Sequence, residues 1–306
     1  MSNLSQHHSS RRNFVSTMTK SIGISMVLTA PGVGFANGLW KLQKSFTVGE
    51  VMDLFIEEVP AAPFEKTVDT LKSGNRDQVV TGIVTTMFAT IEIIRKAIEL
   101  KANFIIAHEP TYYNHLDETN WLENDEVYRY KAELLEKNKI AVWRCHDYIH
   151  SHKPDGVRTG LIKALGWQEY TDAANPQIVT IPGMALKALI MHAKEKLGIS
   201  GIRYEGDLSQ TCRRLLLLPG AAGGRTQIQA IGKVKPDVVI VGELSEWETA
   251  EYIRDARLKG EKISLIILGH AVSEEPGLEW MLSWLQPKLP GIKVVHIPSH
   301  NPLSFL

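Results

Sequence analysis

Residues 103–113 read NFIIAHEPTYY, and this stretch decides how the rest of the chain is interpreted. Residues 104–107 form a continuous apolar run, which is typical of a strand buried on both faces of a sheet. The run stops at two adjacent side chains that can bind metal, His108 and Glu109, and Pro110 ends the strand. Because ligands in open α/β sheets lie beyond the carboxyl ends of the strands, we expect this pair to face a site rather than the core.

Similar apolar runs alternate with amphipathic stretches along the chain. A helix is predicted at 47–59 with Thr47 as its N-cap, and the segments that follow indicate successive β-α-β units. The predicted fold class is therefore α/β, with mainly parallel sheets flanked by helices. Strands are predicted at 79–88, 104–107, 140–145, 201–206, 213–218, 238–241, 264–268 and 293–297, and helices at 90–101, 123–138, 155–165, 183–198 and 247–259.

We expect the chain to divide into a first lobe, formed by 37–171 and 252–306, and a second lobe formed by 172–251. Its 306 residues, 44% hydrophobic and 22% charged, are enough for one large domain or two lobes with a sizeable core. The 34 basic and 34 acidic residues cancel overall, but residues 50–306 contain 29 basic and 34 acidic residues. This mildly acidic body argues against a nucleic-acid partner.

The N-terminal segment has the features of an export signal. Residues 10–15 read SRRNFV, and a weakly apolar run over 22–35 leads to small residues of the kind that a signal peptidase reads. Residues 1–36 therefore resemble a twin-arginine signal peptide, with a mature protein that begins near Asn37, is periplasmic or extracytoplasmic, and has no stable membrane anchor. The alternatives are a disordered basic tail or an uncleaved anchor, and a cytoplasmic location.

The two cysteines, Cys145 and Cys212, each lie in an apolar segment typical of a strand. This pattern favours buried free thiols, and a disulfide in an exported chain is the alternative. No CxxC spacing occurs, which excludes a zinc–thiolate site. Any metal must therefore be held by histidine and carboxylate.

Two further strand ends carry such side chains. The strand over 140–145 leads into HDYIHSH at 146–152, three histidines and an aspartate within seven residues. The strand over 264–268 leads to His270, and Glu274 lies one helical turn later on the same side. A parallel sheet would bring these segments to one rim, where nitrogen and oxygen ligands suit one or two divalent ions such as zinc, manganese or iron. The alternative for the histidine-rich stretch is a solvated loop.

A glycine-rich stretch, PGAAGGRT, occupies residues 219–226 before a predicted helix. It could offer backbone N–H groups to an anion, or it could be a tight strand-to-helix turn. Its spacing matches neither the Walker loop nor the dinucleotide fingerprint, so it assigns no cofactor.

Five segments, in the order FIIAHEPTYY, VWRCHDYIH, PGAAGG, VVIVGELSEWETAEYIRDA and ILGHAVSEEPGLEWM, resemble the Nif-three-like (NGG-one-interacting factor three) family. Members are often labelled GTP cyclohydrolase I type 2 homologues. The resemblance covers 46–302 as a single domain. It implies two intertwined α/β lobes, a homohexameric toroid and a dinuclear site for two divalent metal ions in a cleft.

The resemblance also implies the ligands of that site. Two positions depart from the common family pattern, because Glu109 replaces a histidine and His150 replaces an aspartate, so ligand number and formal charge stay the same. His146 is either a ligand or a partner that orients one, and Asp147 and Glu243 are the nearest candidates for outer partners. The implied metal ligands are His108, Glu109, His146, His150, His270 and Glu274.

Three classes of function fit this combination. The favoured class is a metal-dependent hydrolase that uses metal-activated water on a small molecule, with Glu243 and Glu246 as candidate catalytic bases and Glu275 as a third. The alternatives are a non-catalytic metal-binding or metal-delivery protein and an oligomeric scaffold with a structural metal. The predicted export argues against GTP as the substrate, since nucleoside triphosphates are scarce outside the cytoplasm.

Overall fold

Two five-stranded sheets form the centre of the fold. The computed structural model describes residues 45–304, and the predicted signal peptide at 1–36 lies outside them. The described strands are β1 (Leu71–Ser73), β2 (Ile83–Thr86), β3 (Phe104–Ala107), β4 (Ala141–Arg144), β5 (Ile178–Ala185), β6 (Arg203–Glu205), β7 (Thr211–Leu218), β8 (Val238–Val241), β9 (Ser264–Ile267) and β10 (Val294–His296). The described helices are α1 (Val48–Ile56), α2 (Ile91–Glu99), α3 (Glu126–Lys137), α4 (Asp147–Ser151), α5 (Gly156–Leu165), α6 (Leu186–Leu197), α7 (Gly224–Val234), α8 (Glu251–Leu258) and α9 (His270–Leu285).

Most neighbouring strands run parallel. The first sheet has the order β1-β4-β3-β2-β10, with β1 antiparallel to β4 at one edge. The second sheet has the order β5-β7-β8-β9-β6, with antiparallel strands at both edges. The predicted α/β fold with mainly parallel sheets is confirmed, and its central strands are buried because helices cover both faces.

Local signals set the starts of several helices. The Thr47 side chain accepts a hydrogen bond from the Glu50 backbone, and the Glu50 side chain accepts one from the Thr47 backbone, which is a complete capping box. The Thr90 side chain accepts a hydrogen bond from the Ile93 backbone at the start of α2, and Asp155 accepts one from the Arg158 backbone at the start of α5. The helix predicted from residue 183 instead begins at Leu186, because β5 continues through Ala185 and pairs with β7.

The predicted lobe boundary at residue 252 does not coincide with the boundary between the sheets. Strand β9 lies in the second sheet, between β8 and β6, whereas the sequence predicts 252–306 in the first lobe. The reason is that α8 is the crossover of a β-α-β unit, which places β9 parallel to and beside β8. Helix α9 then leaves the second sheet and packs against α5, β2 and β10, so it links the two sheets.

Both cysteines are buried and free, which confirms the predicted thiols. No helix among residues 45–304 is both long and apolar enough to cross a membrane.

Candidate metal centre

The candidate site lies where strand ends from both sheets meet. His108 and Glu109 follow β3, and His146 follows β4, all in the first sheet. His270 follows β9, in the second sheet, and Glu274 lies one turn along α9. The prediction that all these side chains lie at one rim of one sheet is therefore wrong. His270 and Glu274 come from the second sheet, and α9 brings them to the residues of the first.

Asp69 holds the short helix α4 in place. Its carboxylate, which is 4% exposed, accepts hydrogen bonds from the backbone N–H groups of His146 at 2.8 Å, Asp147 at 3.0 Å and Tyr148 at 2.8 Å. These groups are the unpaired donors at the start of the helix. Asp69 thus positions both His146 and His150, so the histidine-rich stretch is an anchored helical turn rather than a solvated loop.

Glu274 is one of two carboxylates at the centre of the cluster. Its Oε2 atom lies 3.0 Å from Nε2 of His270 and 3.3 Å from Nε2 of His108. Its Oε1 atom lies 3.8 Å from Nε2 of His150. The Glu274 side chain is only 3% exposed, so these histidines replace solvent around it.

Glu109 is the second central carboxylate. Its Oε1 atom lies 3.1 Å from Nε2 of His270 and 3.8 Å from Nε2 of His146. Its other oxygen, Oε2, lies 3.2 Å from the guanidinium of the fully buried Arg144. Glu109 therefore uses one oxygen to face the histidines and the other to pair with a buried cation.

Each of the four histidines has its other ring nitrogen, Nδ1, held from outside the cluster. Such contacts fix the ring orientation and tautomer of a metal-binding histidine, and they leave Nε2 free to face inward. The Nδ1 contacts are His108 with the Cys145 carbonyl oxygen at 3.1 Å, His146 with Asp147 at 3.0 Å, His150 with Asp155 at 3.5 Å and His270 with Glu243 at 3.4 Å.

His108 gives the clearest indication of its tautomer. A carbonyl oxygen can only accept, so Nδ1 of His108 donates to Cys145 and the neutral ring has a lone pair on Nε2. That Nε2 atom is buried and has no hydrogen-bond partner among the described residues. A buried nitrogen lone pair beside the Glu274 carboxylate is unfavourable unless a positive charge lies between them. Without a metal, a proton serves, since Glu274 raises the pKa of His108 against the effect of burial, and a bound metal ion fits the same place.

The charges within the cluster affect one another strongly. Burial opposes a charge on His270, but the hydrogen bonds that its ring donates to the Glu109 and Glu274 carboxylates outweigh burial and raise its pKa to about 10. Burial also opposes the charge of Glu274, yet His108 and His270 hold its pKa well below the usual range. Burial and the neighbouring His108 lower the pKa of His146 to about 4. The centre thus favours two charged carboxylates beside a protonated His270, with His146 neutral.

Two overlapping groups of side chains have ligand atoms close enough to hold an ion. One consists of His108, His146 and His150, and the other of His108, Glu109 and Glu274, with all ligand atoms in each group within 4.8 Å of one another. His108 belongs to both groups. The sequence-predicted ligands are therefore brought together, with His270 in contact with the two carboxylates.

The cluster is open on one side to a cavity of about 1010 Å³. The side chains of His146, His150 and His270 are 24%, 30% and 21% exposed, so the histidines form part of the cavity wall. Phe88 and Tyr113 add aromatic surface to the lining. The exposed surface of the cavity is mainly apolar, and its lining also includes many polar and charged side chains. A cavity of this size and mixed character fits a small molecule.

The glycine-rich turn packs directly against this centre. Gly220 has φ of +67°, and a Cβ atom there would collide with the Glu274 carboxylate. Its backbone N–H donates to Oγ of Ser273 at 2.9 Å, so it is already engaged within the protein. At Gly220 the turn serves close packing, because only glycine fits both the backbone conformation and the space.

The three glutamates considered as bases lie in different environments. Glu243 lies 3.4 Å from Nδ1 of His270 and is half exposed, whereas Glu246 lies at the surface, where its carboxylate pairs with Arg203 at 2.7 Å. Glu275 points away from the cluster, toward the backbone at the ends of β2 and β10, and burial raises its pKa to about 7. Glu243 is thus the one of the three that contacts a candidate ligand.

Three residues that hold the site in shape are not evident from the sequence pattern. For Asp155 the sequence indicates only a helix start, and its contact with His150 depends on the fold. Arg144 had a visible signal, a charged residue within the apolar run AVWRC, which is unusual for a buried strand. Asp69 had none, because the residues that it binds lie almost 80 positions away.

Comparisons with known proteins agree with this architecture. The family model described as Duf34/NIF3 (NGG1p interacting factor 3) matches residues 47–302. A "GTP cyclohydrolase 1 type 2 homolog" from Clostridium perfringens is 25% identical over 218 residues, covering 68% of this chain and 79% of the relative. A protein of the same name from Clostridium acetobutylicum is 26% identical over 230 residues, covering 72% and 81%.

Solved structures share the fold. A hypothetical protein of Staphylococcus aureus aligns with a TM-score of 0.69 at 20% identity, and a Bacillus cereus protein related to NIF3 with 0.69 at 19%. Each alignment covers 86% of this chain and 100% of the other. Reduced HcgD from Methanocaldococcus jannaschii aligns with a TM-score of 0.61 at 17% identity, over 83% of this chain and 98% of that one. Because the family model matches most of its length, the chain belongs to the DUF34/NIF3 (NGG1p interacting factor 3) family.

Proposed function

We propose that this protein is a metal-dependent hydrolase that acts on a small molecule at the His/Glu cluster. The observation that carries the proposal is the shared orientation of the four histidines. Each turns Nε2 toward Glu109 or Glu274, while Nδ1 is held by an outer acceptor. The unpartnered, buried Nε2 of His108 supports a cation at this position.

We further propose that the cluster holds two divalent ions. Six nitrogen and carboxylate ligands exceed the four of a single tetrahedral zinc site, and the two overlapping groups share His108. The donor set suits zinc, manganese or iron, and it contains no thiolate. When bound, such ions supply Lewis acidity and lower the pKa of water at the site.

The residues of the chain have distinct roles in this proposal. Asp147, Asp155 and Glu243 orient the histidine rings through Nδ1, and Arg144 orients Glu109. Glu243 is also half exposed beside the cluster, which supports it as the group that accepts a proton from water. Glu246 is less suited to that role, because it is paired with Arg203 at the surface.

The open side of the cluster favours turnover over a purely structural metal. Structural zinc sites are closed by protein ligands, whereas catalytic sites keep a position open to substrate. Here three histidines are partly exposed to the cavity. The name of the clostridial relatives, GTP cyclohydrolase 1 type 2 homolog, is compatible with hydrolysis, but the twin-arginine-like N-terminus argues against GTP as the substrate.

The proposal is tested by metal analysis and a substrate screen on one preparation. Purified under metal-replete conditions, the protein is expected to contain about two divalent ions per chain and to hydrolyse a nucleotide, cyclic amide or phosphoester. Because Glu243 also orients His270, its loss should weaken metal affinity, so Glu243→Gln is assayed at a metal concentration that keeps it fully loaded. Under that condition Glu243→Gln should lower the activity at least tenfold, and Glu246→Gln should leave it unchanged. Less than one ion per chain contradicts the metal site, and bound metal without any turnover favours a metal-delivery protein.

Outer carboxylates are expected to tune metal affinity without abolishing it. Asp147→Asn and Asp155→Asn should each weaken zinc binding about 10–100-fold, because the ring that each residue orients loses a negatively charged acceptor. The measurement is competition with a chromophoric chelator. Asp172→Asn is the control, since Asp172 is an exposed carboxylate that binds only its own loop, and it should match the parent. Parent-like affinity in both test variants would show that these contacts do not support the site.

A further inference from the structure

A lysine in the wall of the cavity has no role in the metal centre. Lys131, on α3, is 4% exposed, and it belongs to the cavity lining together with Thr111. Its ammonium group donates to the Thr111 carbonyl oxygen at 2.6 Å and lies 5.8 and 5.2 Å from the ring centres of Tyr112 and Tyr113. A lysine has three N–H donors, so this ammonium retains capacity for a further acceptor.

The side chain of Thr111 has the same property. Its Oγ1 atom is buried and has no hydrogen-bond partner among the described residues. Buried hydroxyl groups are normally paired with protein or water, so an unpaired one in a cavity wall points to a ligand. Thr111 therefore places a free hydroxyl beside the backbone carbonyl that binds Lys131.

The charge of Lys131 is also unmatched. Within the described chain, no carboxylate oxygen lies in ion-pair contact with its ammonium group, and the Asp117 carboxylate that influences its pKa is shared by Lys72 at 3.2 Å and Arg144 at 3.5 Å. Arg158, another cation of the lining, pairs with Asp155 at 3.4 Å. An oxyanion is the ligand chemistry that would satisfy both the Lys131 charge and the Thr111 hydroxyl.

The backbone beside this pair is unusual. Tyr113 has φ of +62°, in the left-handed region that a bulky aromatic residue rarely adopts. This conformation places the Tyr113 ring near the Lys131 ammonium while leaving the ring 54% exposed in the cavity wall. Strained residues of this type concentrate at ligand sites, which agrees with a binding role for the segment.

We propose that Lys131 and Thr111 form an oxyanion-binding subsite, so that the substrate carries a carboxylate or phosphate group. This inference rests on the proposed function in one respect, that the same cavity holds the molecule on which the metal cluster acts. The subsite binds the anionic group through the ammonium and the hydroxyl, and it thereby orients the remainder of the molecule toward the cluster. Burial lowers the pKa of Lys131 to about 8, so the ammonium form still predominates at pH 7.

The first test uses the unmodified chain and chemical labelling. At pH 7.5 a larger fraction of Lys131 than of ordinary lysines is free amine, because burial lowers its pKa to about 8. Formaldehyde with cyanoborohydride is small enough to enter the cavity, and peptide mass spectrometry reports the methylation of Lys131 separately from that of the exposed Lys187. Inorganic phosphate or acetate, added in separate arms, is expected to slow the labelling of Lys131 at least fivefold and that of Lys187 not at all. The arm with the larger effect distinguishes a phosphate from a carboxylate ligand.

The second test uses variants and calorimetry with the more effective of the two anions. Lys131→Met should weaken binding of the anion at least tenfold, and Thr111→Val should weaken it at least threefold. The exposed controls Lys187→Met and Thr180→Val should bind the anion as the parent does. Labelling and calorimetry are run on metal-loaded and chelator-treated protein, because an anion could also bind a metal ion. If a variant does not fold, the labelling of the parent protein still shows whether an anion binds at Lys131.

The outcomes separate the two proposals. If metal is bound but neither anion protects Lys131, the subsite is wrong and the proposed function stands. If metal is absent but an anion protects Lys131 and binding is lost in Lys131→Met, the metal site is wrong and the subsite stands. Protection that disappears on chelator treatment would assign the anion to the metal ions and overturn the subsite.

Discussion

Replacing Glu274 by glutamine is expected to reduce metal affinity by more than about 100-fold, beyond the range for outer carboxylates. The Glu274 carboxylate is 3% exposed and lies 3.0 to 3.3 Å from Nε2 of His270 and His108. Glutamine keeps the shape but removes the charge, so two histidines lose the anion that they face. The measurement is elemental analysis after native purification, followed by zinc titration against a competing chelator.

The same helix supplies a control for this variant. Glu279→Gln changes an exposed carboxylate of α9 and should leave metal content unchanged. His108→Ala and His270→Ala should resemble Glu274→Gln, because each removes a nitrogen that faces the central carboxylates. If all three variants retain as much metal as the parent, the cluster is not a metal site, and its side chains form a buried ion-pair network instead.

Replacing Arg144 by methionine is expected to destabilise the protein by about 3–5 kcal/mol. Arg144 is fully buried, and its guanidinium lies 3.2 Å from Glu109 and 3.5 Å from Asp117. It also donates to the backbone carbonyl groups of His108 and His115. Methionine fills similar space, but Glu109 loses its buried cation and Asp117 loses one of two. Urea-induced unfolding monitored by circular dichroism measures the change in free energy.

An exposed ion pair provides the comparison. Arg254 lies 3.1 Å from Glu251, and the two side chains are 63% and 48% exposed. Arg254→Met should therefore change the free energy of unfolding by less than about 1 kcal/mol, because water already solvates both groups. A loss as small as this in Arg144→Met would mean that Glu109 and Asp117 find other partners or take up protons.

Local sequence determined much of the fold. The apolar run over 104–107 was enough to identify a strand buried on both faces, since only a central strand of a covered sheet tolerates it. Thr47 marked a helix start because its hydroxyl group satisfies a backbone donor three residues later. Thr90 makes the same contact at the start of the helix predicted over 90–101. These interactions lie within a few residues of one another, so their signals are present in any short window of the chain.

The same local reasoning located the side chains of the candidate site, although not their arrangement. The positions of His108 and His270 directly after buried strands indicated that both face away from the core. Family resemblance then placed them in one cluster. The local pattern predicted one rim of one sheet, because a β-α-β unit places β9 beside β8 but does not show that both strands belong to a second sheet.

Only the tertiary structure decided which groups hold the site in shape. Asp69 binds the start of α4, and Arg144 joins Glu109 to Asp117, through contacts between residues that are 27 to 79 positions apart. The hydroxyl of Thr111 is unpaired only because the chain around it excludes other partners. Burial, and with it the energetic importance of a charge or a hydroxyl, depends on packing from every direction, which a stretch of sequence does not contain.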